Sequence, residues 1–458
     1  MSYISPINTR YKAPVTAAIW APLNRIKTMR QLWIDAAIFQ KELGISCITD
    51  KGIQELVVNR DTIDFQSIQS YEDKFKHDIM AHLYAFSDLC PAGKNMLHLG
   101  ATSNFINDNV DMILVNKSIK HIIDLVYKLV GVLKTKSNEF ADTPTLSYTH
   151  LQSAQLITVG KRFTFWNSDI IMDLDALLDL LNKLPFRGIK GTVGSEDTLL
   201  KLFDGDHDKC VSLNDKLAEL YGFTNKIQIC GQTYSRKYDV MVFHSLSSLC
   251  QSLYKMMNDI RLLSSKGEIF EHFSKEQIGS SAMPYKKNPI TCEKICSLCR
   301  LVIGYETNMS QTYVNQWLER SLDDSAIKRI IYPDAFMLTE HILNETIKCV
   351  SSLFINKELI KNNVFTHLEN IVSESIIIAG VKMGYNRQDI HERLRRILTR
   401  TWTSTDSTAT DSTVASAFKT DSVLKHILDN NEISMDPCDY IGRSVQQIDV
   451  FYSGQFGF

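Results

Sequence analysis

The 458-residue chain sets 50 Lys+Arg against 52 Asp+Glu, and its net charge of −2 gives no global field for collecting nucleic acid. It holds only 20 Gly and 10 Pro, where average usage is roughly 7% and 5%, which argues against sandwiches, barrels, turn-rich repeats and disorder and for a helical fold. Hydrophobic residues at 44% supply an ample core, and a length prior of about 150 residues per domain suggests about three domains.

In chain order, residues 1–102 predict an N-terminal helical domain with modest helices around Arg25 to Leu43 and Glu72 to Asp88. Three long stretches with apolar residues at helical spacing follow: about Ile106 to Phe140, Ala154 to Leu184 and Val240 to Leu263. A fourth is expected after Pro289, where Asn288 offers an N-cap ahead of Pro at the first helical position. A fifth surrounds Phe336 to Phe354. Ordinary helices average three turns or so, so these read as a central bundle over residues 103–355, with the Leu, Ile and Met of each stripe in its core. Residues 356–458 read as a C-terminal helical domain, interrupted by Thr401 to Ser416 (TWTSTDSTATDSTVAS), a surface loop by composition. The basic run of Arg393, Arg395, Arg396 and Arg400 reads as a solvated face. No uninterrupted apolar run approaches the ~18 residues of a membrane span, and the first residues lack the apolar core of a leader. Ten cysteines without dense even spacing read as reduced thiols, so a cytoplasmic setting is expected.

Several motifs compete for the chemistry. Cys292-x3-Cys296-x2-Cys299 has the thiolate spacing of the iron–sulfur site in radical enzymes that use S-adenosylmethionine. Here Ile295, Leu298 and Val302 continue at helical spacing, so the three cysteines share one apolar face, where free Cys commonly packs. His77 and His82 are five apart rather than the four a zinc pair on one helix needs, and no third ligand completes a set, so no metal is expected. Gly188-x2-Gly191-x2-Gly194 fits neither a P-loop nor a dinucleotide fingerprint and reads as a flexible turn. Ser280 and Ser281 lack the Gly-x-Ser-x-Gly elbow of hydrolases. The segment Gln277 to Pro289 (QIGSSAMPYKKNP) puts Lys286 and Lys287 beside those hydroxyls. A Ser hydroxyl is a poor base until cations or backbone N–H groups stabilise its alkoxide, and the same groups stabilise an anionic intermediate. On spacing alone, an exposed loop with a capped helix after it is the simpler reading.

Gly279-Ser280-Ser281-Ala282-Met283-Pro284-Tyr285-Lys286-Lys287-Asn288-Pro289 resembles the signature loop of the fumarase/aspartase superfamily. His98-Leu99-Gly100-Ala101-Thr102-Ser103 and Thr149-His150-Leu151-Gln152 resemble its other two signatures. Through Lys76-His77-Asp78, the block from Gly231 to Lys237, and Leu322-Asp323-Asp324-Ser325, the chain is most similar to the adenylosuccinate lyase branch, over nearly its whole length. The resemblance implies an all-α, three-domain fold whose central long-helix bundle joins a multi-chain bundle in a homotetramer. Each site would be shared by three chains and would use neither metal nor organic cofactor. The implied reactions release fumarate from adenylosuccinate, giving AMP, and from succinyl-carboxamide ribotide, in purine nucleotide synthesis. They involve small nucleotides and neither nucleic acid nor membrane. Other lyases of the superfamily, or a non-catalytic relative of the lens-crystallin kind, stay open.

Residue by residue, the resemblance implies Ser280 as base, Lys286 and Asn288 as charge stabilisers, His150 as acid and Glu293 as the group that orients it, with His77 beside the chemistry. It implies phosphate contacts from Arg10, Ser325 and Arg329, with Tyr11 and Arg320 nearby. Carboxylates and ribose would meet Thr102, Ser103, Thr149, Gln232, His77 and Asp78, and His98 belongs to the same signature as Thr102. Three positions depart from the pattern: Ser153 stands where Pro is usual, and Lys76 and Lys294 stand where Arg is usual. Ser153 implies a looser start to the following helix. Lys keeps the charge but loses bidentate geometry, so altered substrate affinity is implied rather than lost chemistry.

Overall fold

In the computed structural model, which describes residues 3–403 and 418–454, helices dominate and the strands occur in two-stranded pairs. The N-terminal part holds α1 (Pro22–Glu42), α2 (Phe65–Phe75) and α3 (Asp78–Asp88). The long helices are α4 (Ser103–Glu139), α5 (Val159–Lys183), α6 (Lys237–Ser265), α7 (Ile290–Val314) and α8 (Asp324–Ser351), followed by α9 (Lys357–Lys382) and α10 (Arg387–Thr403). Their apolar stripes are the core, as the spacing predicted: Val110, Ile119, Ile122, Val126, Leu129 and Leu133 of α4 are all fully buried. The chain divides into two compact units, one of Met1–Leu129, Ile170–Met257 and Thr291–Ile347, the other of Val130–Asp169, Asn258–Ile290 and Lys348–Phe458.

Local departures from the predicted elements have physical causes. The helix expected from Ala154 begins only at Val159, because Gln152–Thr158 is strand β2, paired antiparallel with β1 (Pro144–Thr149). Leu156 and Thr158 alternate inward, but over too few residues to separate a period of two from the helical stripe that continues at Val159 and Phe163. Ser153 therefore lies within β2, opposite Tyr148, rather than at the start of a helix. The helix expected from Glu72 to Asp88 breaks: α2 ends in a left-handed Lys76 (φ +52°), and His77 caps α3. Asn288 does not cap α7, which starts at Ile290; its side chain is used elsewhere. α8 begins at Asp324 and runs through Pro333, ending before Phe354, which lies in a short strand against Ile269–Phe270. Thr401–Thr403 finish α10, so the segment read as a loop opens as helix, and 404–416 lie outside the described residues.

In the second unit α9 is the structural spine. Among the described residues it is the one helix long and apolar enough to cross a membrane by length and composition, yet its buried face is fully engaged. Val364 and Ile371 pack on Leu146 and Leu156 of the β1–β2 hairpin. Leu368, Val372 and Ile376 pack with Ile390, Leu394, Leu424 and Ile427 of the C-terminal helices. Truncating Ile371 to Ala costs about 2–5 kcal/mol through lost burial and the cavity left behind.

Candidate active site

In the first unit a cavity of about 440 Å³ opens between α1, α2, α3, α4 and α8, lined among others by Asp78, His82, Arg236, Arg320, Ser325 and Arg329. Asp78, in the first turn of α3, pairs with Arg329 of α8. Arg320 bonds Asp324 at 2.8 Å. Behind them lies a charge network that the sequence reading missed. Arg236, 2% exposed, donates to Asp324 at 2.6 Å and to Asp108 at 2.9 Å. Lys328 reaches Asp111 at 3.1 Å and the Tyr234 hydroxyl at 2.9 Å, and both Tyr234 and Tyr332 donate to Asp239. Burial alone would raise the Asp111 carboxyl, but Arg25 and Lys328 hold it at about 2. Burial would likewise lower the Arg236 guanidinium, and Asp108 with the other acidic neighbours reverses this. Ion pairs of this kind stay charged only together, so the network is a rigid floor under Arg320. Its partners are 88 and 128 positions apart in sequence; the available signal was acidic residues, Asp108 and Asp111, on an otherwise apolar stripe.

Other predicted residues of this unit are set by backbone geometry. His98 sits at φ +67°, and the Trp33 indole donates to its Nδ1 at 3.0 Å, so the ring proton is on Nε2. Burial, reinforced by nearby His77, pushes His98 down to about 4 and keeps it neutral near pH 7. His77 accepts the Met80 amide at 3.4 Å. Thr102 and Ser103 open α4, where the Phe105 amide donates to the Thr102 carbonyl at 2.9 Å, and Asn104 donates to Gln232 at 3.1 Å. Gly188, Gly191 and Gly194 all have positive φ, yet the turn is packed rather than flexible. A Cβ on Gly194 would lie 1.8 Å from the Cys230 carbonyl oxygen, so the turn braces the segment that carries Gln232. Arg10 and Tyr11 are not among the cavity's lining residues, and the Tyr11 ring lies 5.4 Å from that of His341. Glu293 is exposed in the first turn of α7, and Lys294 is occupied by Glu345 at 2.5 Å. Cys292, Cys296 and Cys299 are buried on the apolar face of α7, as their spacing predicted.

The remaining predicted residues belong to the second unit. Thr149 pairs with Gln152, leaving His150 and Leu151 as the two-residue turn of the hairpin, at φ +55° and +60°. Such turns need positive φ at both positions and favour Asn-Gly. Non-glycine residues there cost roughly 1–2 kcal/mol each, and strain of this kind concentrates at functional positions. The Ser153 hydroxyl lies 3.5 Å from His367. In the signature loop the Ser280 hydroxyl accepts two backbone amides, Ala282 at 3.3 Å and Met283 at 3.1 Å. The loop's neck is closed: Asn288 donates to the Gly279 carbonyl at 2.9 Å, and a Cβ on Gly279 would fall 2.0 Å from the Lys286 carbonyl oxygen. Lys286 and Tyr285 are exposed. Among the described residues no hydrogen bond or ion pair joins His150 to Ser280, Lys286 or Asn288.

Comparison with known proteins bears on this arrangement. A lyase family matches residues 52–304. Adenylosuccinate lyase from Saccharomyces cerevisiae is 36% identical over 98% of this chain and 94% of its own length. The adenylosuccinate lyase of Schistosoma mansoni is 37% identical over 98% and 94%, and that of Archaeoglobus fulgidus 29% over 97% and 97%. Among solved structures, the 3-carboxy-cis,cis-muconate lactonizing enzyme from Pseudomonas putida superposes with a TM-score of 0.81 at 20% identity, covering 97% of both chains. Fumarate lyase from Mesorhizobium sp. BNC1 follows with 0.79 at 18% identity, covering 97% of this chain and 99% of its own. Likenesses at that identity establish the all-α fold.

Proposed function

The chain belongs to the adenylosuccinate lyase family, and from that premise we propose that it releases fumarate from adenylosuccinate and from succinyl-aminoimidazole-carboxamide ribotide by proton transfer through Ser280 and His150. The proton to be removed lies beside a carboxylate and is very weakly acidic, so the carbanion must spread into that carboxylate as a dianion. A base strong enough needs a stabilised alkoxide. The observation that carries the reading is the pair of backbone amides, Ala282 and Met283, aimed at the Ser280 hydroxyl oxygen. They stabilise negative charge there without a side chain having to move. Lys286 and Asn288 add charge and a donor at the same loop, and the closed neck fixes their spacing.

His150, exposed at its strained turn, protonates the departing nitrogen, the kind of step in which an imidazole is the commonest general acid. Glu293 orients it. His98, neutral with its proton on Nε2, donates to a substrate carboxylate. Arg329, Arg320 and Ser325 hold the phosphate with Arg10 and Tyr11, since a guanidinium fork bonds two oxygens at once. Asp78, His77, Lys76, Thr102, Ser103, Thr149 and Gln232 take ribose and carboxylates. With Lys294 held by Glu345, its part is to keep the start of α7 in place. Each site takes residues from three chains of a cytoplasmic homotetramer, built on divisions near residues 102 and 355.

Purified protein should convert adenylosuccinate, seen as falling ultraviolet absorbance, with chelator having no effect. Ser280→Ala and His150→Gln should each abolish turnover and leave the oligomer intact. A substitution that left the rate near wild type would remove that residue from its role, and no turnover by the wild-type chain would overturn the reading.

A further inference from the structure

We propose that Glu268 is a positioning residue for His150, acting through Tyr148 to set the direction of the hairpin tip. The inference rests on the reading of His150 as the acid.

Glu268 is fully buried. One of its oxygens, Oε1, accepts the Tyr148 hydroxyl at 2.5 Å and the Asn363 amide at 3.3 Å. The other, Oε2, faces Arg162 Nη1 at 3.9 Å, and both atoms are buried without a hydrogen-bond partner. A buried carboxylate this incompletely paired costs stability. Arg162 meanwhile donates to the Leu146 carbonyl at 2.6 Å. The clamp therefore grips β1 twice: at Leu146 through its backbone, and at Tyr148 through its side chain. Between the two grips the register of the hairpin slips by a bulge, where bulges characteristically re-aim the side chains that follow. The Lys266 ammonium covers the Tyr148 ring at 4.0 Å and fixes its plane.

Tyr148 lies two positions before His150, and beyond it the strand has only Thr149 before the left-handed turn. His150 makes no hydrogen bond of its own among the described residues. Its direction is therefore inherited from the strand, and the last side-chain anchor on that strand is the Tyr148 hydroxyl on Glu268. Between the clamp and the acid lies only the Thr149–Gln152 pair that closes the hairpin.

Tyr148→Phe deletes a single oxygen from a half-buried ring and leaves the hydrophobic packing in place. It is expected to lower kcat about tenfold with KM within twofold, at a temperature where circular dichroism and oligomeric state are unchanged. Glu268→Gln keeps an acceptor for Tyr148 and should retain clearly more kcat than Glu268→Ala. The deciding measurement is a double-mutant cycle on residual rate. If Tyr148 acts only through His150, adding Tyr148→Phe to His150→Gln changes the residual rate less than twofold. Unchanged kcat in Tyr148→Phe, or a further tenfold loss in the double variant, overturns the inference while leaving the acid role of His150 standing. A near wild-type rate in His150→Gln overturns both.

Discussion

His98 shows how a single side chain can be tuned by its surroundings alone. The Trp33 bond fixes its tautomer, and burial holds the ring at about 4, well below the ordinary 6.5. His82, whose Nδ1 is buried in the cavity wall without a hydrogen-bond partner, is pushed to about 4 by burial as well. Both are neutral in the folded chain and take up protons more readily once unfolded. Their contribution to stability is thus complete above pH 6.5 and declines as the pH falls from 6.5 through 4. Each amounts to on the order of 2–3 kcal/mol over that window. His98→Asn tests this cleanly, because Asn tolerates the left-handed backbone and offers Trp33 an acceptor. Chemical denaturation between pH 7 and 4 should show a shallower loss of stability in the variant, by roughly 2–3 kcal/mol at the acid end. An identical slope would show that His98 is not held neutral by its burial.

At the scale of elements, two short segments carry the proposed acid and base, and the sequence revealed only part of each. The motifs singled out two segments of defined shape: Thr149-His150-Leu151-Gln152 is a hairpin tip and Gly279 to Asn288 a neck-closed loop. What the sequence hid was their conformation. A type I′-like turn made of His and Leu carries none of the Asn-Gly chemistry that announces one, and the strand after it blends into the apolar stripe of α5. Asn288 and Pro289 offer a standard helix start, yet the tertiary bond to Gly279 wins and α7 begins one residue on. Charged pairs such as Arg236 with Asp108 were out of reach because nothing local links residues so far apart. The conformations make their own predictions. Leu151→Gly removes a strained side chain that is 60% exposed and should raise hairpin stability by about 1 kcal/mol, read as a higher melting temperature. Gly279→Ala should do the opposite to the loop: its Cβ cannot share space with the Lys286 carbonyl, so the neck opens and Ser280 loses its setting. Turnover should fall at least tenfold with the melting temperature nearly unchanged. A fully active Gly279→Ala enzyme would mean the closed neck has no part in catalysis.

At the scale of the whole molecule, some helices present large apolar side chains to water. Phe165 and Met172, seven apart on one face of α5, are 60% and 70% exposed, and Val314 of α7 is 68% exposed. Large apolar side chains left in water along a helix face mark association surfaces, which agrees with the proposed homotetramer. The division of labour proposed above then has a consequence that no single-chain site shares. Ser280→Ala keeps its acid and lacks its base, and His150→Gln keeps its base and lacks its acid. If each site draws acid and base from different chains, dissociating the two inactive proteins, mixing them equally and reassembling them should create sites with both groups intact. Random assembly in a closed symmetric tetramer makes these about a quarter of all sites, so specific activity should recover to roughly that fraction of wild type. The recovery should require exchange of subunits: mixing without dissociation should give nothing, and the gain should track the population of mixed tetramers separated by charge. Persistent inactivity in mixed tetramers, under conditions where wild-type chains regain full activity after the same dissociation and reassembly, would place acid and base on one chain and dismiss the shared site.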